Sequence, residues 1–177
     1  MLDQKRKIHL KTAAEAELMR RSGALLAKVF AMLDDFVVPG ISTMAINDRV
    51  EDFIVNELKA RPASKGQYGY AYVLNSSVNE VVCHGVPSEQ QLLKASDIVN
   101  LDITLEKDGF IADSSKMYLM PQASPLAKRL VQATYEPCGE GSRWSGPVPA
   151  SGILAMRFNS MPNPRATVWS GNTVVMA

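Results

Sequence analysis

The sequence predicts an α+β domain over its first 136 residues, on three observations. Thr12 and Glu15 form a capping-box pattern ahead of an apolar stripe at helical spacing. Two alternating Val/Ile-rich runs meet at Asp108-Gly109, the strongest short hairpin signal in the chain. The charges are unevenly divided: 33 of the charged residues fall in positions 1–136 and only four, Glu140, Arg143, Arg157 and Arg165, in the last 41.

The elements follow in order. The first helix carries Leu18, Ser22, Leu25, Leu26, Val29, Phe30 and Leu33 on one side. Pro39-Gly40 turns the chain, and Ser42 or Thr43 caps a second helix with Ile46, Val50, Phe53, Ile54 and Leu58 on its apolar face, ending near Pro62. GYAYVLNSSVNEVVCHG reads as two short strands broken at the polar NSS. DIVNLDITLEKDGFIADSSKMYLM is the hairpin, and Ser124-Pro125 opens a third helix with Leu126, Leu130 and Val131 on one side. From Pro137 onward five prolines and five glycines argue against a long helix or a central strand.

Composition excludes several classes. A net charge of +1 gives no electrostatic reason for a nucleic-acid or anionic-membrane partner. The longest apolar stretch, ALLAKVFAML, is interrupted by Lys28 and too short to span a bilayer, and the N-terminus lacks an apolar signal core. Two cysteines, Cys83 and Cys138, make no disulfide framework, so a reducing, cytoplasmic setting is expected.

The chemistry concentrates in the hairpin. Asp102 lies among Val99, Leu101, Ile103 and Leu105, where a carboxylate without a cationic or metal partner is costly to bury. With Asp108-Gly109 as a two-residue turn, Lys107 pairs with Phe110 and Asp102 faces Ser115. Asp113 then becomes the diagonal neighbour of Asp102 on the same face, roughly 7–8 Å away at Cα. Two like charges at that spacing repel unless a cation lies between them, and hard oxygen ligands suit Mg, Mn, Fe, Co or Zn. A one-residue slip would put them on opposite faces. Taken alone, Asp113 beside Ser114 and Ser115 reads equally as a solvent-facing or hydrogen-bonding strand residue. His84 alone reads as a partly buried, satisfied histidine, although its place before Gly85-Val86-Pro87 sets it on a loop edge. Cys83 alone reads as a small buried apolar residue.

NEVVCHGVP followed by DIVNLDITLEKDGFIADSSKMYLM resembles the bacterial type I methionine aminopeptidases, and the likeness runs from about Ile8 to Glu136. The resemblance implies the first half of the pseudo-symmetric pita-bread (creatinase/aminopeptidase) fold, truncated here. It implies a site with two divalent ions (Co, Mn, Fe or Zn) held by five protein ligands. Asp102 matches the bidentate ligand of one metal and Asp113 the carboxylate bridging both. His84 matches the histidine at the scissile amide and Tyr70 the wall of the methionine pocket, with Cys83 joining the substrate-binding set. Ala71 stands where a Pro is common and Asn75 where a Cys is common. The implied activity is removal of the initiator methionine from nascent polypeptides, at the ribosome, by a cytoplasmic monomer. Two other readings share the fold: a non-catalytic binding protein and a proline-directed aminopeptidase.

The remaining family ligands, one His and two Glu, belong to the second half of that fold. This chain has only His9 and His84, and after Asp113 its only acidic residues are Glu136 and Glu140. A lost base just before the Pro137 codon accounts for both the missing ligands and the composition. With that base restored, the genetic code permits EALWRGIEVVRPGA from Glu136 onward. Asn172 to Ala177 then regroup to permit YCGHG, the family's second-half histidine motif. Residues 1–136 are therefore expected to be the N-terminal part of the catalytic domain, and 137–177 an out-of-frame tail. A sheet missing half its strands should expose an unpaired edge and apolar surface, and so be poorly soluble.

Overall fold

The computed structural model describes residues 10–144, with side chains through residue 136. Helix α1, Ala13–Phe36, begins at the expected capping box: the Glu15 N–H donates to Thr12 Oγ1, and Glu15 accepts from the Thr12 N–H. Ser42, rather than Thr43, caps helix α2, Thr43–Asp52, by accepting from the Ala45 N–H at 3.0 Å. A π-helical turn over Phe53–Glu57 continues α2 and carries Ile54 into the core.

Four strands follow: β1, Arg61–Pro62; β2, Leu74–Val78; β3, Ile98–Lys107; and β4, Phe110–Leu119. All pair antiparallel. β4 takes one edge of β3 along its whole length, while β1 and β2 share the other in tandem. The hairpin register matches the expectation: Lys107 opposes Phe110 and Asp102 opposes Ser115. Asp108 and Gly109 adopt φ of +54° and +83°, the left-handed pair of a type I′ turn. Ser22 in α1 is fully buried and donates to the Phe110 carbonyl at 2.9 Å, so the helix grips the turn directly.

Alternation along β3 divides the sheet into two faces. Val99, Leu101, Ile103 and Leu105 are fully buried and join Leu26, Val29 and Leu33 of α1, with Ile46, Val50 and Ile54, in one core. Asn100, Asp102, Thr104 and Glu106 point to the other, half-open face.

Three expectations need correcting. NSS does not break a strand but forms the middle of β2, with Ser76 and Ser77 buried. VVCHG is not a strand: residues 81–84 are exposed loop, including Cys83, which is therefore not a buried apolar residue. It is Gly85, not Val81 or Val82, that bonds to the outer edge of β2, through the Ser76 N–H and the Ser77 hydroxyl. Finally, helix α3, Pro125–Trp144, runs past Pro137, Gly139 and Gly141. It is capped by Ser124, whose hydroxyl accepts from the Ala127 N–H at 3.1 Å. Twelve residues are already helical before Pro137, and extending a formed helix costs far less than starting one.

Among the described residues nothing pairs with the outer edge of β4. Ile111 and Leu119 on that strand, and Leu126, Leu130 and Tyr135 on α3, are exposed. Among the described residues this leaves an open strand edge and exposed apolar side chains. No described helix is long and apolar enough to cross a membrane.

Candidate metal centre

The half-open face of the sheet brings Asp102 and Asp113 together. Asp113 opposes Thr104, two positions along the ladder from the Asp102–Ser115 pair and on the same face, so the two carboxylates meet on the diagonal. Burial against the sheet is the main cause that raises the Asp113 pKa. The Asp102 charge adds to it, and so does a hydrogen bond that the protonated form makes to Asp102. Two like-charged oxygen donors held this close form a place where a hard cation would relieve repulsion.

Two more residues close the site toward β2. Asn75 opposes Asp102 in the β2–β3 ladder, and its Nδ2 lies 3.5 Å from Asp102 Oδ2. Tyr70 donates its hydroxyl to the Leu74 carbonyl at 2.8 Å and stacks edge-to-face on Tyr72, with ring centroids 5.6 Å apart. Burial first, then the Tyr72 and Asp102 charges, push its phenol pKa upward, so it stays protonated beyond the ordinary tyrosine range.

His84 and Cys83 lie on the exposed loop beyond β2. His84 is exposed and so is not the partly buried histidine, and its φ of +57° takes it out of strand geometry. Among the described residues no hydrogen bond joins it to either carboxylate. Sequence reasoning missed Thr104, which shares the face of Asp102 and whose hydroxyl bonds that of Ser64. The signal was available, because Thr104 follows Asp102 at the period-two spacing of one sheet face.

The carboxylate pair fits the oxygen-rich half of a divalent-metal site. Among the described residues, however, no group of three or more His, Cys, Asp or Glu side chains gathers to complete one.

The described residues thus form a helix-backed antiparallel sheet with paired aspartates on its open face. Residues 17–141 match the model of metallopeptidase family M24, and the chain belongs to that family. It is 43% identical over 129 residues to the methionine aminopeptidase of Escherichia coli strain K12, covering 73% of this chain and 49% of the relative. It is 44% identical over 127 residues to that of Buchnera aphidicola from Acyrthosiphon pisum, covering 72% and 48%. The chain thus spans about half the length of the curated relatives it matches.

Among solved structures, the methionine aminopeptidase of Rickettsia prowazekii superposes with a TM-score of 0.73 at 36% identity, covering 76% of this chain and 54% of that one. The Thermotoga maritima enzyme gives 0.72 at 30%, with the same coverage. A prolidase from Pyrococcus furiosus shares the fold alone, at a TM-score of 0.62 and 12% identity, covering 75% and 37%. The α+β architecture is accordingly part of the pita-bread fold.

Proposed function

We propose that residues 1–136 are the N-terminal part of a methionine aminopeptidase that removes the initiator methionine from nascent polypeptides. The observation that carries this reading is the diagonal Asp102–Asp113 pair, with Tyr70 and Asn75 beside it on the open face of the sheet. The M24 family match and the named relatives support it.

In this reading Asp102 and Asp113 hold two divalent ions, of the set Co, Mn, Fe and Zn. Bound there, the ions supply an activated water and polarise the scissile carbonyl. Asp102 and Asp113 would contribute their carboxylates to both ions, and the positive charge would relieve the repulsion between them. Tyr70, kept protonated and anchored by its bond to Leu74, walls the pocket for the methionine side chain. Cys83 and His84 border the substrate from the loop after β2, with His84 at the scissile amide. Asn75 gives the pocket an amide wall next to Asp102. The substrate is the free amino terminus of a nascent chain, met in the cytoplasm, at or near the ribosome, by a monomer.

We propose further that residues 137–177 are an out-of-frame translation concealing the second half of the ligand set. The fall in charged residues after Glu136 supports this, as does a family match that ends at residue 141. The test of the activity is release of methionine from Met-Ala-Ser with added Co²⁺ or Mn²⁺, by the 177-residue chain and by a frame-restored version. Hydrolysis by the restored version alone is the expected result, and no hydrolysis by the restored version refutes the aminopeptidase reading.

A further inference from the structure

Ser77 occupies a strand position that is 4% exposed, yet it carries a hydroxyl rather than an apolar side chain. That hydroxyl accepts the Gly85 N–H at 3.1 Å, while the Ser76 N–H donates to the Gly85 carbonyl at 2.8 Å. Gly85 thereby lies along the outer edge of β2, held by one backbone and one side-chain bond. The approach is too close for any side chain: a Cβ at Gly85 would meet the Ser76 carbonyl oxygen at 2.1 Å and its carbon at 2.7 Å.

The neighbours of Gly85 show what this clamp controls. One residue earlier, His84 is exposed and held at φ +57°, a conformation disfavoured for a side-chain-bearing residue. Three residues later, Ser88 is fixed to α2: its N–H donates to Thr43 Oγ1 at 2.9 Å, and its carbonyl accepts from the Met44 N–H at 3.2 Å. On the other side Asn79 is tied to Ile98 and Asp97, but residues 80–84 beyond it are exposed, and Val81 bonds only back to Val78 in a short-range turn. The His84 backbone therefore takes its orientation from the Gly85 end. Strain at such a residue persists only where the surroundings over-determine it, and the nearest determinants are the two bonds that hold Gly85 to β2, of which Ser77 supplies the side-chain one.

We propose that Ser77 is a positioning residue for His84, acting through the Gly85 amide. Its hydroxyl fixes the loop against β2, so that His84 leaves the strand edge in one orientation and meets the peptide amide of the substrate. This rests on the reading of His84 as a substrate-contacting residue. The cost of losing the hydroxyl falls on the loop: without it the Gly85 N–H is left against the strand edge with no acceptor.

The test uses the isotope-labelled 177-residue chain. It has two histidines, His9 and His84, so its histidine ring spectrum is readily assigned with a His9→Gln control. Amide exchange and histidine signals are compared for wild type, Ser77→Ala and Ser77→Thr. In Ser77→Ala the Gly85 amide should exchange about tenfold faster or more, the scale of one lost hydrogen bond. The His84 signals should move toward free-peptide positions, while the paired amides of β2 and β3 keep wild-type protection. Ser77→Thr, which retains the hydroxyl, should restore both. Unchanged Gly85 exchange and His84 signals in Ser77→Ala would overturn the proposal. So would loss of protection across the whole sheet, which would make Ser77 a packing residue. Should Ser77→Ala not fold, wild type still decides: a Gly85 amide that exchanges as fast as a free peptide refutes the clamp. Failure of methionine release, by contrast, refutes the aminopeptidase reading and leaves the exchange result standing.

Discussion

Asp102 and Asp113 meet across one diagonal of the β3–β4 hairpin, Asp102 opposite Ser115 and Asp113 opposite Thr104, with the Asp113 pKa raised by burial and by the Asp102 charge. A carboxyl whose folded pKa lies above its ordinary value of 3.8 contributes stability below that pH and loses it as pH rises through the folded value. Asp113→Asn should therefore make the metal-free chain more stable than wild type at pH 7, by roughly 0.2–1 kcal/mol, the scale for partly exposed charges. The difference should vanish near pH 3.5. Urea unfolding at the two pH values measures it, and a less stable Asn variant at pH 7 would count against the repulsion.

Divalent metal should reverse that ranking. Adding Mn²⁺ should raise the unfolding midpoint of wild type, since an ion that binds only the folded state stabilises it. Asp113→Asn should respond little, because it keeps only one of the two carboxylates. Equal shifts in both proteins would place the binding elsewhere.

Ser76 Oγ is buried with no hydrogen-bond partner, and its strand position opposes Leu101 of the core. Ser76→Ala removes an unsatisfied hydroxyl at little loss of volume, so it should stabilise the chain by about 1 kcal/mol. Denaturant midpoints at constant m-value would show this. A destabilised Ala variant would mean that the hydroxyl has a partner in solution.

Gly109, at φ +83°, sets the register on which the carboxylate pair depends. Gly109→Val should cost roughly 1–2 kcal/mol, the penalty for a side chain in the left-handed region. Since the turn lies outside the site, Mn²⁺ response should survive wherever the variant remains folded. Its loss in a folded variant would mean that the hairpin had slipped.

Leu101 is fully buried at the centre of β3, next to Asp102. Leu101→Ala should cost about 2–5 kcal/mol by the usual large-to-small core penalty. A cost below that range would show that the isolated sheet packs loosely against α1.

The helices and hairpin were legible because their signals are local. Thr12 with Glu15, Ser42 and Asp108-Gly109 each satisfy or bend their own backbone, and the hairpin turn alone set the diagonal of Asp102 and Asp113. β2 was misread because its two buried serines look like a break when only propensity is consulted. Their burial follows from pairing with β3, a partner more than twenty residues away. Val81-Val82-Cys83 misled in the opposite direction, since β propensity expresses packing on a half-buried pleated surface and these residues are exposed in a loop. The Ser77–Gly85 clamp was not visible, because a clash of backbone against an added Cβ is a three-dimensional fact. The extent of α3 was missed because proline and glycine were counted without weighing the helix already formed ahead of them.

In the proposed reading Asp102 and Asp113 are two members of a ligand set whose remainder is concealed by the reading frame after Glu136. Reading the coding DNA across codons 136–177 tests this most directly. One restored base before the Pro137 codon should turn the codons of Asn172 to Ala177 into YCGHG, the third bases of the Asn172, Thr173, Val174 and Val175 codons becoming the first bases of the Tyr, Cys, Gly and His codons. Codons that give any other residue at the histidine position would contradict it.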